Sequence, residues 1–227
     1  MLKFSPILLA VLYGFVMYQF STWKLKKTLD SQATRLVDPR FSSVLDRMSA
    51  ALGLPTIKVF VLEVDPINGL AAPDGRIFIT RGFLNKLNQG AVTVDELASV
   101  IAHEMGHVAL GHSRRRMIDF SGQNAMRVAL GMILSRFIPG IGAWIANMIG
   151  NLLMAKLSRS DEFEADEYAS ALLIKAGIGV EAQISLFENL DKLTGNSGAT
   201  PAWLMSHPKT QDRIAAIRKN QLNWSGT

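Results

Sequence analysis

His103-Glu104-Met105-Gly106-His107 is the densest concentration of chemistry in the chain. On a helix, imidazoles at i and i+4 project from one face, one turn apart, as two ligands of a single zinc ion must. Glu104 is rotated by one residue and can reach a water beside such an ion, where it would act as a general base. Leu97, Ala98, Val100, Ile101 and Ala102 precede the pattern, so the helix is expected to be buried. The plain alternatives are solvent-facing histidines on an ordinary helix, or core histidines satisfied by hydrogen bonds. Spacing and burial together favour the metal.

Two histidines leave a zinc ion short of ligands. The metzincin extension would need histidine at position 113, which is Ser113, and glycine at 110, which is Leu110. His112 misses that register by one and reads as a histidine at a helix C-terminus, meeting the dipole or packing inside. A further ligand therefore comes from elsewhere, and the best stretch is Ser158-Arg159-Ser160-Asp161-Glu162-Phe163-Glu164-Ala165-Asp166. Taken alone, this acidic run would be an exposed charged face. Glu162 and Asp166, however, are an i, i+4 pair. One can ligate a metal while the other accepts the free ring N–H of a ligating histidine. Glu164 lies on the other side of that helix and should be solvated.

HEMGH, SRSDEFEAD and a later Ser206-His207-Pro208-Lys209-Thr210-Gln211-Asp212-Arg213 together resemble the HtpX-type and CAAX-prenyl-protease-type membrane zinc metalloproteases. The resemblance runs from about Asn68 to Arg213 and rests on three separate motifs. It implies that Glu162 is the third zinc ligand, with Asp166 in support, and that His207 lies close to the metal. It also implies a substrate-pairing strand, N-A-F-A in that family, at Asn68-Gly69-Leu70-Ala71; Gly69 and Leu70 depart from the pattern. On this reading Zn²⁺ is held by His103, His107 and Glu162. Glu104 is the general base, His207 or Arg213 is a second donor to the oxyanion, and the substrates are proteins or peptides.

The elements that must position these residues are legible in outline. Thr56–Val64 is β-branched and alternating, Gly69–Ala72 is a short extended piece, and Arg76–Thr80 alternates again across a Pro73-Asp74-Gly75 turn. Thr93 and Glu96 form a capping box that starts a helix at Val94, expected to run through His112. Helical patterns continue to the C-terminus, broken at Pro139-Gly140, Gly177–Gly179 and Thr194–Pro201. The expectation is an α+β, mainly helical zincin-type domain with a small antiparallel sheet. Its organisation would be an N-terminal anchor over 1–23, a helical linker over 24–54, the metalloprotease domain over 55–220 and a tail over 221–227.

Phe4–Trp23 contains twenty residues without a charge. As a helix they extend about 30 Å, the thickness of a bilayer's hydrocarbon core. The competing reading is a cleaved signal peptide, but Val16, Met17, Tyr18, Gln19 and Phe20 offer no small-x-small site. Lys24, Lys26, Lys27 and Arg35 outnumber Lys3 across this segment, which favours a cytoplasmic body over a periplasmic one. The expected location is a single N-terminal span in a membrane, the bacterial inner membrane on the resemblance. A second apolar stretch, Phe137–Ala155, lies between the ligand motifs. One crossing there would put Glu162 across the bilayer from His103, so zero crossings are expected. The segment 117–157 then forms an apolar hairpin packed on the domain or dipping into the interface.

The 227 residues carry a net charge of +5 and no cysteine, which excludes disulfide scaffolds, Cys-ligated zinc and thiol nucleophiles. Basic residues cluster beside apolar segments and no nucleic-acid module is recognisable, so no nucleic-acid partner is expected. The alternative from another class is a zinc-stabilised, membrane-tethered peptide-binding or chaperone module. Glu104 argues against it, because a binder needs no base beside the metal.

Overall fold

The computed structural model describes residues 5–115, 142–190, 193, 202–208 and 211–224. They fall into two compact bodies, Met1–Ser31 with His112–Asp161, and Gln32–Gly111 with Glu162–Thr227. The second body carries the HEMGH and E-x-x-x-D residues and His207.

Ile77, Phe78, Ile79 and Thr80 are buried without interruption, as a strand covered on both faces must be. This strand, β4 (Ile77–Thr80), takes an interior place in a four-stranded sheet ordered β1-β2-β4-β3, where β1 is Ala33–Arg35, β2 is Val59–Leu62 and β3 is Gly69–Ala71. The β3–β4 hairpin is as the sequence predicts. Gly69 pairs with Ile79 and Ala71 with Ile77, and Gly75 closes the turn at φ 88°, where glycine meets no Cβ penalty.

Two features correct the expectation. The sheet is mixed rather than antiparallel, because β2 runs parallel to β4, Val59 opposite Ile77 through Leu62 opposite Thr80. The hairpin occupies one edge of β4, so β2, buried except for the half-buried Phe60, takes the other edge. The segment 24–54 is not all helix, since Ala33–Arg35 pair antiparallel with Phe60–Leu62.

The helices are α1 (Ser5–Gln32), α2 (Ser42–Leu52), α3 (Arg81–Asn88), α4 (Val94–Ala109), α5 (Gly142–Lys175), α6 (Glu181–Asn189), α7 (Ala202–Ser206) and α8 (Gln211–Trp224). The domain is α+β, mainly helical with a small mixed sheet. α4 opens with the reciprocal Thr93–Glu96 capping box. It ends at Ala109, earlier than expected, because Gly111 turns the chain at φ 72°. Leu97, Ala98, Val100, Ile101 and Ala102 are fully enclosed, so α4 is a core helix.

α1 continues beyond Trp23 to Gln32. Among the described residues no helix is long and apolar enough to cross a membrane. Of the hairpin expected over 117–157, residues 117–141 lie outside the described residues, and 142–157 open α5. The breaks at 139–140 and 194–201 also lie outside them. α8 covers 221–224, part of the expected tail, and 225–227 lie outside the described residues.

Candidate metal centre

Helix α4 presents His103 and His107 one turn apart, with Nε2 atoms 3.1 Å from each other. α5 brings Glu162 to them: Oε2 lies 3.3 Å from His103 Nε2, and Oε1 lies 3.5 Å from His107 Nε2. His207, just past α7, adds Nδ1 at 3.3 Å from His103 Nε2 and 2.8 Å from Glu162 Oε2. One ligand atom from each of these four buried residues lies within 4.8 Å of the others.

This donor set fits a small divalent cation. Tetrahedral zinc with bonds of about 2.0–2.1 Å spaces its ligand atoms about 3.3 Å apart, close to the separations here. Three imidazoles and a carboxylate gathered in one buried space are a costly arrangement that a bound cation would compensate. His207 supplies the fourth donor of that group.

The support beneath the donors is equally well defined. Asp166 Oδ1 lies 2.9 Å from His103 Nδ1, which turns Nε2 toward the other ligands. Arg213 grips Asp166 with two hydrogen bonds, Nε to Oδ2 at 2.7 Å and Nη2 to Oδ1 at 2.9 Å. It also donates to the Pro208 carbonyl at 2.9 Å, and its Nη1 is 3.3 Å from Glu162 Oε2. Gln183 and Ser170 complete the surroundings of Asp166. Glu164 is exposed, as its position on the helix predicts.

Burial opposes charge on His103, but hydrogen bonds to Asp166 and Glu162 outweigh it and raise its pKa to about 9. His107 goes the other way, lowered to about 4 by burial and by the neighbouring charge of His103. Burial alone would raise Glu162 and Asp166, yet both carboxyls are held below the ordinary carboxylate range. Three histidines do this for Glu162, and His103 with Arg213 for Asp166.

Glu104 is buried beside the donors and is not one of the four clustered residues; its Oε1 lies 3.3 Å from His207 Nε2. The Trp203 indole Nε1 donates to the same oxygen at 3.3 Å. No motif pointed to Trp203. A lone tryptophan has no spacing pattern, and only its position four residues before His207 hints at a role. The candidate strand Asn68-Gly69-Leu70-Ala71 leads into and forms β3, which pairs only with β4 among the described residues. A Cβ on Gly69 would sit 2.6 Å from Val100 Cγ1 and 3.6 Å from Glu104 Oε1, so this strand edge runs directly over the helix of the site. In the other body, His112 is fully enclosed and its Nε2 lies 3.7 Å from Asp161 Oδ1, which Arg115 also contacts at 2.6 Å. Asp161 was not among the expected site residues and takes no part in the donor set.

The sequence pattern of peptidase family M48 matches residues 35–221. The chain belongs to peptidase family M48. Metalloprotease LoiP of Escherichia coli (strain K12) is 30% identical over 210 residues, 85% of this chain and 79% of that protein. A putative beta-barrel assembly-enhancing protease of Vibrio cholerae is 32% identical over 167 residues, 70% of this chain and 34% of that protein. Human mitochondrial metalloendopeptidase OMA1 is 24% identical over 164 residues, 69% of this chain and 30% of that protein. The chain thus spans about a third of the length of the last two. As an M48 member it is a metal-dependent endopeptidase, and proteins or peptides are its substrates.

Proposed function

We propose that this M48 peptidase is a membrane-anchored zinc enzyme of the HtpX-type and prenyl-protease-type layout, acting in quality control of membrane or envelope proteins. The observation that carries the chemical part is the convergence of His103, His107 and Glu162 beside Glu104. When bound by that donor set, zinc would supply Lewis acidity and would lower the pKa of a water in the site toward about 7. Glu104 takes the proton of the attacking water and passes it to the leaving amine. Asp166 keeps His103 in the tautomer that offers Nε2, and Arg213 holds Asp166. Arg213, one of the two side chains near enough to serve an oxyanion, is engaged with Asp166 and Pro208. That leaves the part to His207, buried beside His103 and Glu162.

An extended substrate segment adds to the β3 edge at Asn68–Ala71, gaining backbone hydrogen bonds with modest sequence preference. Phe4–Trp23 is the anchor, supported by its twenty uncharged residues and by Leu8, Leu9, Leu12, Phe15, Val16, Phe20 and Trp23 exposed along α1. Lysines after Trp23 favour a cytoplasmic body in a bacterial inner membrane. The quality-control role follows the relative whose name couples a protease to β-barrel assembly.

The test is zinc content and casein cleavage of wild type and Glu162→Gln, purified side by side in detergent. Wild type should hold one zinc and cut, and the variant should lose both. A variant that keeps zinc and activity removes Glu162 from the ligand set.

A further inference from the structure

Trp203 is almost completely enclosed, which by itself is the ordinary fate of a tryptophan in a core. Its polar contacts are less ordinary. The indole N–H donates to Glu104 Oε1 at 3.3 Å, and the backbone N–H donates to the carbonyl of Ile67 at 3.0 Å, two residues before β3. Its own carbonyl accepts from the backbone N–H of His207 at 2.8 Å. The ring meets His103 edge-on with centroids 5.7 Å apart, lies 5.3 Å from the His207 ring, and is backed by Phe187 at 5.6 Å. One residue therefore touches the base, the lead-in to the strand edge and the fourth donor.

A carboxylate acting as a base must offer one oxygen in a fixed direction, and an unheld glutamate has three side-chain torsions to order. A donor on one oxygen fixes the plane of the carboxylate. A rigid indole does this at little entropic cost, because its own two torsions are locked by packing. Oε1 of Glu104 faces both Trp203 and His207, whereas Oε2 accepts no hydrogen bond among the described residues.

We infer that Trp203 is the positioning residue of Glu104, its indole N–H holding Oε1 so that Oε2 faces the reacting water, while its backbone ties α7 to the entry of β3. The inference rests on the reading of Glu104 as the base. It requires no movement of a proton to or from the indole.

The test uses the full chain in detergent micelles. In metal-free protein labelled with ¹⁵N at the tryptophan indoles, Glu104→Ala should move one of the four indole N–H signals upfield and speed its exchange with solvent. If no indole signal moves, the inference is overturned, and this measurement needs no Trp203 variant. Trp203→Phe keeps a ring against Phe187 and removes the donor. It should retain metal and KM within about twofold while kcat falls about tenfold. In a Glu104→Gln background the same substitution should cost nothing further, because the indole then has no base to position. Full kcat in Trp203→Phe, or a loss that appears equally in the Glu104→Gln background, overturns the inference. If Glu104→Gln itself turns over like wild type, the reading of Glu104 as the base fails instead. A dead Glu104→Gln beside a normal Trp203→Phe removes only Trp203.

Discussion

Gly106 packs directly on Ala165: a Cβ at position 106 would lie 3.0 Å from both the Cα and the carbonyl oxygen of Ala165. One glycine of HEMGH thus sets how closely α4 approaches the stretch of α5 that carries Glu162 and Asp166. Gly106→Ala forces a Cβ against the backbone of Ala165, which no rotamer change relieves. The expected outcome is a stability loss of about 1–3 kcal/mol. Metal affinity should fall about 10-fold or more as Glu162 and Asp166 are pushed from the histidines. Thermal melting and chelator competition on the same sample check both.

Glu104→Gln should separate holding a metal from using it. Glu104 is not among the four residues whose ligand atoms cluster, so the variant should bind metal as wild type does. If Glu104 is the base proposed above, its loss should lower casein cleavage by about 10²–10⁴-fold. Metal analysis beside a cleavage assay decides the matter, and a variant that loses its metal would make Glu104 a ligand.

Asp166→Asn attacks the support under His103. It takes from the buried guanidinium of Arg213 the carboxylate that holds it by two hydrogen bonds, with Glu162 Oε2 still 3.3 Å from Nη1, a change expected to cost about 3–5 kcal/mol. It should also weaken metal binding about 10–100-fold. The double variant Asp166→Leu, Arg213→Met removes both buried charges and should recover part of the stability, but not the metal affinity, because nothing then orients His103. Urea unfolding and metal competition of the three proteins give the comparison.

The local part of this site was legible because its spacing is short. HEMGH, Glu162 with Asp166, and the Thr93–Glu96 cap are all relations within one turn of helix, where residue type and geometry are tied together. The β3–β4 hairpin was legible for the same reason, through Asp74-Gly75. The parallel pairing of β2 with β4 was not, since nothing within either strand distinguishes one long-range partner from another. Ala33–Arg35 is a strand only because Phe60–Leu62 offers it an edge. Trp203 and Asp161 act through contacts 99 and 46 residues away along the chain, with Glu104 and Arg115 respectively, and no local periodicity announces them.

Metal uptake should depend on pH through His103. Burial works against its charge, but Asp166 and Glu162 prevail and keep it protonated up to about pH 9 in the metal-free fold. Metal must displace that proton, so apparent affinity should rise about tenfold per pH unit from near neutrality toward 9. The same shift stabilises the metal-free chain fully below the ordinary value of 6.5, and that stability is lost as pH climbs through about 9. His107, lowered to about 4, adds the opposite loss as pH falls from 6.5 to 4, because the unfolded chain then binds the extra proton. Melting of metal-free protein should therefore peak near pH 6.5, and added metal should remove the alkaline decline.

Position 69 is one of the two places, with Leu70, where the chain departs from the strand its resemblance implies, and the structure supplies a physical reason for the glycine. An alanine Cβ there would lie 2.6 Å from Val100 Cγ1 and 3.5 Å from Glu104 Cγ. Val100 is fully buried on α4 and cannot swing into solvent, so either the strand lifts or the helix turns, and both disturb the surroundings of Glu104. Gly69→Ala should lower kcat about tenfold while the metal stays in place. Val100→Ala removes the obstructing methyl, so in the Gly69→Ala background it should restore most of the lost turnover, although alone it costs about 1–2 kcal/mol of stability. Kinetics of the two single variants and the double one check this. A double variant no faster than Gly69→Ala would mean that the glycine serves the approach of substrate to the strand edge and not the fit of β3 on α4.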